Sequence, residues 1–211
     1  MISLPRLYAI LDPSCFRNRE HMLNAAAQWV NAGVTLLQYR NKSADANVIL
    51  AEAKAIKETL SRASVPASRK ITLIMNDRAD LCLAAEFDGV HVGQDDLSPE
   101  SARKVVGPNL WLGVSTHNPE QVTGADRTST DYIAIGPVFA TASKANPDPL
   151  VGLEGVRRAR SLTRKPLVAI GGITRQNCRS VIDVGADSVA VISDLVREPG
   201  KSVEEFLSIL R

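Results

Sequence analysis

ITLIMNDRADLCLAAEFDGVHVGQDD, residues 71–96, sets two short apolar runs on either side of a segment with helical character, and both runs end in carboxylates. Ile71 to Met75 leads into Asn76 and Asp77, and Gly89 to Val92 leads into Gly93, Gln94, Asp95 and Asp96. The runs are near-continuous in apolar character rather than alternating, which is how strands covered on both faces read. Between them, RADLCLAAEF follows Asp77, a residue type suited to capping a helix. One acid at a strand end has a ready explanation as a cap. Two acids at the same end of neighbouring strands can instead hold a divalent metal ion.

The same unit recurs along the chain. RLYAILD from Arg6, VTLLQYR from Val34, LWLGVST from Leu110, YIAIGP from Tyr132, PLVAIGG from Pro166 and SVAVIS from Ser188 bring the strand-like runs to eight. The intervening segments carry helical marks. Met22, Ala26, Trp29 and Val30 recur at helical spacing, as do Val203, Phe206, Leu207 and Leu210. Ser98-Pro99 and Asn118-Pro119 each place an N-cap residue before a proline at the first helical position, and Thr174 is suited to cap the helix that follows it. Eight alternations predict an α/β fold, a (β/α)8 TIM barrel formed as a single domain over residues 1–211. A doubly wound open sheet is the alternative, disfavoured by eight units and by the lack of an early glycine fingerprint.

The chain's 211 residues are 45% apolar and 23% charged, with a formal net charge of +2. That balance suits one soluble globular domain and argues against a nucleic-acid binder, which would carry a basic excess. No apolar run reaches membrane-spanning length. The opening MISLPRLYAILDPS is broken by Arg6 and Asp12, unlike a signal peptide, so a cytoplasmic location is expected. Cys15, Cys82 and Cys178 lack metal or redox spacing and read as packed, inert thiols.

Barrel chemistry sits at the carboxyl ends of the strands. There, Asp77 and Asp96 fit the one or two carboxylates that Mg²⁺ takes beside water and phosphate oxygens, although each read alone is a cap or turn acid. In LLQYRNK, Leu36, Gln38 and Arg40 share one side of the strand and Lys42 lies just beyond it. Ser115 can donate a hydroxyl hydrogen bond into the mouth or close a turn. His117 reads as a surface residue and His91 as a packed one. The long connection from Gly136 to Gly152 concentrates Thr141, Ser143 and Lys144, as binding loops do. Gly171-Gly172 and Ser193 lie after the seventh and eighth strands, where such barrels bind a phosphate through main-chain N–H groups. Two anionic subsites result: neutral donors suited to a monophosphate, and Arg40, Lys42, Lys144 and Asn76 with Mg²⁺, suited to a departing diphosphate.

Across nearly its full length the chain resembles the thiamine-phosphate synthase family. The resemblance rests on LLQYRNK, IMNDRADL, GVHVGQDDL, LGVSTHN, IGPVFATASK, AIGGIT and AVIS, in order and each at a strand end. It implies a transferase of thiamine biosynthesis that joins 4-amino-5-hydroxymethyl-2-methylpyrimidine diphosphate to 4-methyl-5-(2-phosphoethyl)thiazole. The products are thiamine monophosphate and diphosphate, formed by ionisation of the pyrimidine diphosphate. Carried over to matching positions, Asp77 and Asp96 bind Mg²⁺. Gln38, Arg40, Lys42, Asn76, Ser115 and Lys144 hold the diphosphate or pyrimidine end, with Arg40, Lys42, Ser115 and Lys144 as the catalytic set. Thr141 and Ser143 line a closing loop, while Gly172, Ile192 and Ser193 take the thiazole phosphate. The expected partners are these small molecules, with neither nucleic acid nor membrane, and a homo-oligomer stays open. One departure is ATASK, where many relatives carry proline and threonine in place of Ala140 and Ser143. The rivals are a thiazole tautomerase-like paralogue, a non-catalytic binding barrel, and a Schiff-base aldolase using Lys144. The first two have no need of metal and cation positions together, and Lys144 lacks the desolvation a Schiff base requires.

Overall fold

The computed structural model describes residues 2–42, 44–63, 66, 69–141 and 148–211. Its strands are β1 (Leu7–Leu11), β2 (Leu36–Tyr39), β3 (Thr72–Asn76), β4 (Gly89–Val92), β5 (Trp111–Thr116), β6 (Tyr132–Ile135), β7 (Leu167–Ile170) and β8 (Ser188–Val191). They pair in sequence order, all parallel, and β8 returns to β1 through Leu7 with Val189 and Ala9 with Val191. That closure excludes the open sheet. The helices that alternate with the strands are α1 (Arg19–Ala32), α2 (Ala46–Ser61), α3 (Ala79–Ala84), α4 (Pro99–Val106), α5 (Pro119–Asp126), α6 (Gly152–Leu162), α7 (Cys178–Asp183) and α8 (Pro199–Ile209). The expected (β/α)8 barrel is the architecture.

The period of two along each strand sorts its residues between two cores. Outward residues such as Leu7, Ala9, Leu37, Met75, Val90, Val114 and Ile133 join the helices' apolar stripes in one large cluster. Inward residues make a second, inside the barrel: Tyr8, Ile10, Leu36, Ile74, Tyr132, Ala134, Val168 and Ala190. Gln38 falls in register with Leu36 and faces inward, as the alternation predicts. Trp29 of α1 is fully buried, and its indole N–H donates to the Leu195 carbonyl at 3.0 Å. The contact pins a short 3-10 turn, Ser193–Leu195, that follows β8 at the barrel mouth.

Ser98 and Asn118 cap α4 and α5 as read, accepting from the N–H of Ser101 at 3.2 Å and of Gln121 at 2.9 Å. Two capping expectations are corrected. Thr174 does not cap α7; the flanking residue is Asn177, whose side chain turns back to accept from the Thr174 N–H at 2.8 Å. Asp77 does not cap α3 either: Arg78 occupies that place without a side-chain cap, and Asp77 has φ +61°.

The amino-terminal end of the barrel is fastened by three matching clamps that the sequence reading missed. Asp88, Asp131 and Asp187 each stand one residue before β4, β6 and β8. Each main-chain N–H donates to the carbonyl of a leucine on the preceding strand, and each carboxylate accepts from that leucine's N–H. The pairs are Asp88–Leu73, Asp131–Leu112 and Asp187–Leu167, with all six bonds at 2.8 to 2.9 Å. A cation closes each clamp: Lys70 at 3.2 Å, Arg103 at 2.7 Å and Arg160 at 2.8 Å. Conversion of Asp131 to alanine leaves the Leu112 N–H without its acceptor and the half-buried Arg103 without its counter-charge, though its guanidinium still donates to the Gly107, Leu110 and Ser129 carbonyls. We predict a loss of about 2–3 kcal/mol in urea unfolding, and less for Asp131→Asn, which keeps an acceptor oxygen. A midpoint for Asp131→Ala matching the wild type would show the clamp to be inert.

Candidate active site

Asn76 at the end of β3 pairs in register with His91 of β4, so the residues that follow both strands emerge side by side on the rim. The chain then turns sharply. Asp77 takes the left-handed conformation, a cost of about 1 kcal/mol for a residue with a Cβ, while its N–H donates to the His91 carbonyl at 2.7 Å. The turn brings the Asp77 carboxyl into hydrogen-bonding contact with that of Asp96, and Lys42 Nζ lies 3.1 Å away. Burial first, and the Asp96 carboxyl next, push the Asp77 pKa up to about 6 despite the lysine. Asp96 is exposed and held by the Gly93 N–H at 2.8 Å.

Two carboxyl groups in contact repel each other when both are ionised, and a hard divalent cation relieves that repulsion. Among the described residues no cluster of three or more His, Cys, Asp or Glu is arranged to hold a metal ion. An ion here would therefore rest on Asp77 and Asp96, with water and ligand oxygens completing the shell, a donor set that suits Mg²⁺.

Arg40 and Lys42 both reach this rim, each already facing an acid. Arg40 pairs with Asp12, which is only 6% exposed at the end of β1 and also accepts from the N–H and hydroxyl of Ser14. The sequence reading took Asp12 only as a break in an apolar run. The signal was there: an acid directly after a strand's last apolar residue, as at Asp77. Close by, the Asn76 side-chain nitrogen is buried and has no partner among the described residues, a donor left over for a ligand.

Gln38 and Ser115 stand at opposite ends of a hydrogen-bonded chain through the barrel interior. Gln38 Nε2 donates to the Tyr8 hydroxyl at 2.8 Å, and that hydroxyl meets the Tyr132 hydroxyl at 3.0 Å. Tyr132 meets His91 Nδ1 at 3.0 Å, and His91 Nε2 meets Ser115 Oγ at 2.9 Å. Glycine makes the central link feasible. Gly113 of β5 lies in register between His91 and Tyr132, and a Cβ there would fall 2.1 Å from the Tyr132 ring and 2.5 Å from His91 Nδ1. His91 is packed as expected, and burial lowers its pKa to about 4, so it is neutral near pH 7. His117 departs from its surface reading. It is half-buried, 2.6 Å from the Gly136 carbonyl and 3.5 Å from Asp148, so it ties the end of β5 to the connection after β6.

In that connection Thr141 is half-buried near the mouth, while Ser143 and Lys144 lie outside the described residues. Its first part lies along the end of β7, with Val138 and Phe139 donating to the Ile170 and Gly171 carbonyls at 2.9 and 3.0 Å. Gly172, with φ +63°, has no room for a side chain: a Cβ would lie 2.4 Å from the Ala140 carbonyl oxygen. The loops after β7 and β8 are clamped by Asp194, which accepts from the Arg175 main chain at 2.8 Å and from its guanidinium at 3.1 Å. This brings Gly172, Ile192 and Ser193 to one side of the mouth. The N–H groups of Gly172 and Ser193 donate to no acceptor among the described residues. Of the three cysteines, Cys82 and Cys178 are buried and Cys15 half-buried, all three as free thiols; burial pushes the Cys82 pKa up to about 12.

A family model described as thiamine monophosphate synthase matches residues 7–195. The thiamine-phosphate synthase of Koribacter versatilis is 59% identical over 99% of this chain and 97% of its own length. That of Chloroflexus aurantiacus is 42% identical over 90% and 85%. Among solved structures, a thiamine phosphate pyrophosphorylase from Pyrococcus furiosus superimposes with a TM-score of 0.82 at 29% identity, covering 97% of this chain and 95% of that one. No helix among the described residues is long and apolar enough to cross a membrane. A closed barrel with an acid pair and two cations on its carboxyl rim, matched by relatives along almost the whole chain, belongs to the thiamine monophosphate synthase family.

Proposed function

We propose that this chain joins the hydroxymethylpyrimidine diphosphate to the thiazole phosphate, releasing diphosphate and thiamine monophosphate, with Mg²⁺ held by Asp77 and Asp96. The contact between those two carboxyl groups beside Lys42 carries the reading. Arg40 and Lys42 face Asp12, Asp77 and Asp96, so two positive charges meet three acids. Counted over these described residues the rim is net negative, and a divalent ion would make it more attractive to a diphosphate, which fits binding of diphosphate together with the metal. Mg²⁺ would neutralise developing charge on the departing diphosphate. The unpartnered Asn76 amide and the two cations hold the diphosphate, with Lys144 as a third cation in this reading. In this reading Thr141 and Ser143 belong to the closing loop, and the N–H groups at Gly172 and Ser193, beside Ile192, take the thiazole phosphate.

In the bond-making step the pyrimidine methylene–oxygen bond breaks and its electron pair leaves with diphosphate. The thiazole nitrogen lone pair then closes the new carbon–nitrogen bond. No proton has to move, which suits a site whose interior histidine is neutral and enclosed. The protein's part is to bind, orient and exclude water.

Diphosphate release with both substrates, measured with Mg²⁺ and then with excess chelator, tests the reading. Release should need both substrates and the metal. Asp77→Asn and Asp96→Asn should each lower turnover roughly 100-fold while leaving the unfolding midpoint near the wild type. Release unaffected by chelator, or full turnover in both variants, would return the acids to a structural role. Proton competition gives a second check. In the metal-free protein the Asp77 carboxyl keeps a proton up to about pH 6, so each ion bound below that pH must displace it. Mg²⁺ affinity by calorimetry should be roughly tenfold weaker at pH 5 than at pH 7.5; equal affinities would place the ion elsewhere.

A further inference from the structure

The chain from Gln38 to Ser115 has a direction, and counting hydrogens sets it. Among the described residues the Tyr8 hydroxyl has two partners, the Gln38 amide and the Tyr132 hydroxyl. The amide nitrogen can only donate, so Tyr8 accepts from it, and the Tyr8 proton has one place left to go, the Tyr132 oxygen. The Tyr132 hydroxyl then accepts from Tyr8, and its own proton has one acceptor remaining, His91 Nδ1 at 3.0 Å. An Nδ1 that accepts leaves the neutral imidazole's single proton on Nε2, from which it is donated to Ser115 Oγ at 2.9 Å. Ser115 accepts through its oxygen, so among the described residues its own proton has no acceptor and is left to a ligand. The two tyrosine hydroxyls and both ring nitrogens of His91 are satisfied within the chain, inside a closed apolar barrel where an unmet hydroxyl is costly.

We propose that His91 is a positioning residue, locked as the Nε2-protonated tautomer by the Tyr8–Tyr132 pair, and that it commits Ser115 to donating its hydroxyl proton to an acceptor atom of the bound substrate. The reading of Ser115 as a substrate contact rests on the function proposed above; the wiring behind it does not. Gly113 is the geometric condition. Only a residue without a Cβ lets Tyr132 and His91 meet across β5, since a methyl group would sit within 2.5 Å of both partners. Because the amide of Gln38 starts the chain, that residue presents its remaining carbonyl oxygen as an acceptor while Ser115 presents a donor. The two ends therefore offer opposite polarities to a ligand lying between them. An isolated serine or glutamine would choose its own polarity with each ligand, whereas these two are set together by three buried residues behind them.

Nitrogen-15 correlation spectra of the wild-type imidazoles at pH 7.5 decide the wiring directly. His91 is one of three histidines, and His21→Gln and His117→Gln variants identify its signals. The expected spectrum has the proton on Nε2; a proton on Nδ1 reverses every bond in the chain and overturns the proposal. Kinetics give the second arm. Tyr132→Phe removes the donor to Nδ1 and should lower kcat/KM for the pyrimidine diphosphate roughly tenfold, the worth of about one hydrogen bond. In a Ser115→Ala background the same change should cost less than about twofold, because the group it acts through is gone. Equal losses in both backgrounds would show Tyr132 acting on the fold alone and would overturn the positioning role. A wild-type protein that releases no diphosphate would count against the proposed function, leaving the tautomer to decide the wiring.

Discussion

Closure of the barrel is the constraint from which the rest of this molecule follows. Once β8 pairs with β1, each strand is committed to sending alternate side chains into a narrow interior that must be filled. Aliphatic residues fill most of it, but Tyr8, Tyr132 and His91 bring polar tips into a buried interior. Those tips can be satisfied only by one another and by what lies above them. Gly113 supplies the room, and the chain they form runs up to Gln38 and Ser115 at the mouth. Filling the core and setting the polarity of the site are thus one packing problem.

The two ends of the barrel use the same residue type for opposite purposes. At the amino-terminal end Asp88, Asp131 and Asp187 are spent on main-chain N–H groups and paired cations, so their charge is consumed in fastening strand to strand. At the carboxyl end Asp12 steadies Arg40, while Asp77 and Asp96 face each other with Lys42 as the cation beside them among the described residues. The left-handed backbone at Asp77 is part of that arrangement. It costs energy locally and turns the carboxyl toward Asp96 instead of the helix it precedes. Strain and a shifted carboxyl on the same residue mark a functional-site candidate, and they support the proposal that a cation binds there.

The strands were legible because burial on both faces leaves uninterrupted apolar runs, and the closed order followed from their number. Ser98 and Asn118 were legible because capping is local. Thr174 misled for the same reason that Asp77 did. A side chain suited to a cap is also suited to other partners, and loop geometry three residues away decides between them. The Asp12–Arg40 pair was out of reach because the partners lie at the ends of different strands and nothing in either segment names the other. The clamps and the tyrosine–histidine chain depend on register, which sets who stands beside whom across a glycine only after the barrel has closed.

Two acid-tipped strands, side by side on the rim, are proposed to hold a divalent ion against a diphosphate. A crystal structure of the wild-type protein with Mg²⁺ and diphosphate bound would decide it. Mg²⁺ held there should be octahedral, with oxygens of Asp77 and Asp96 at about 2.1 Å and further ligands from the diphosphate. Diphosphate bound at the mouth with the ion elsewhere, or with Asp77 and Asp96 still facing only each other, would contradict it.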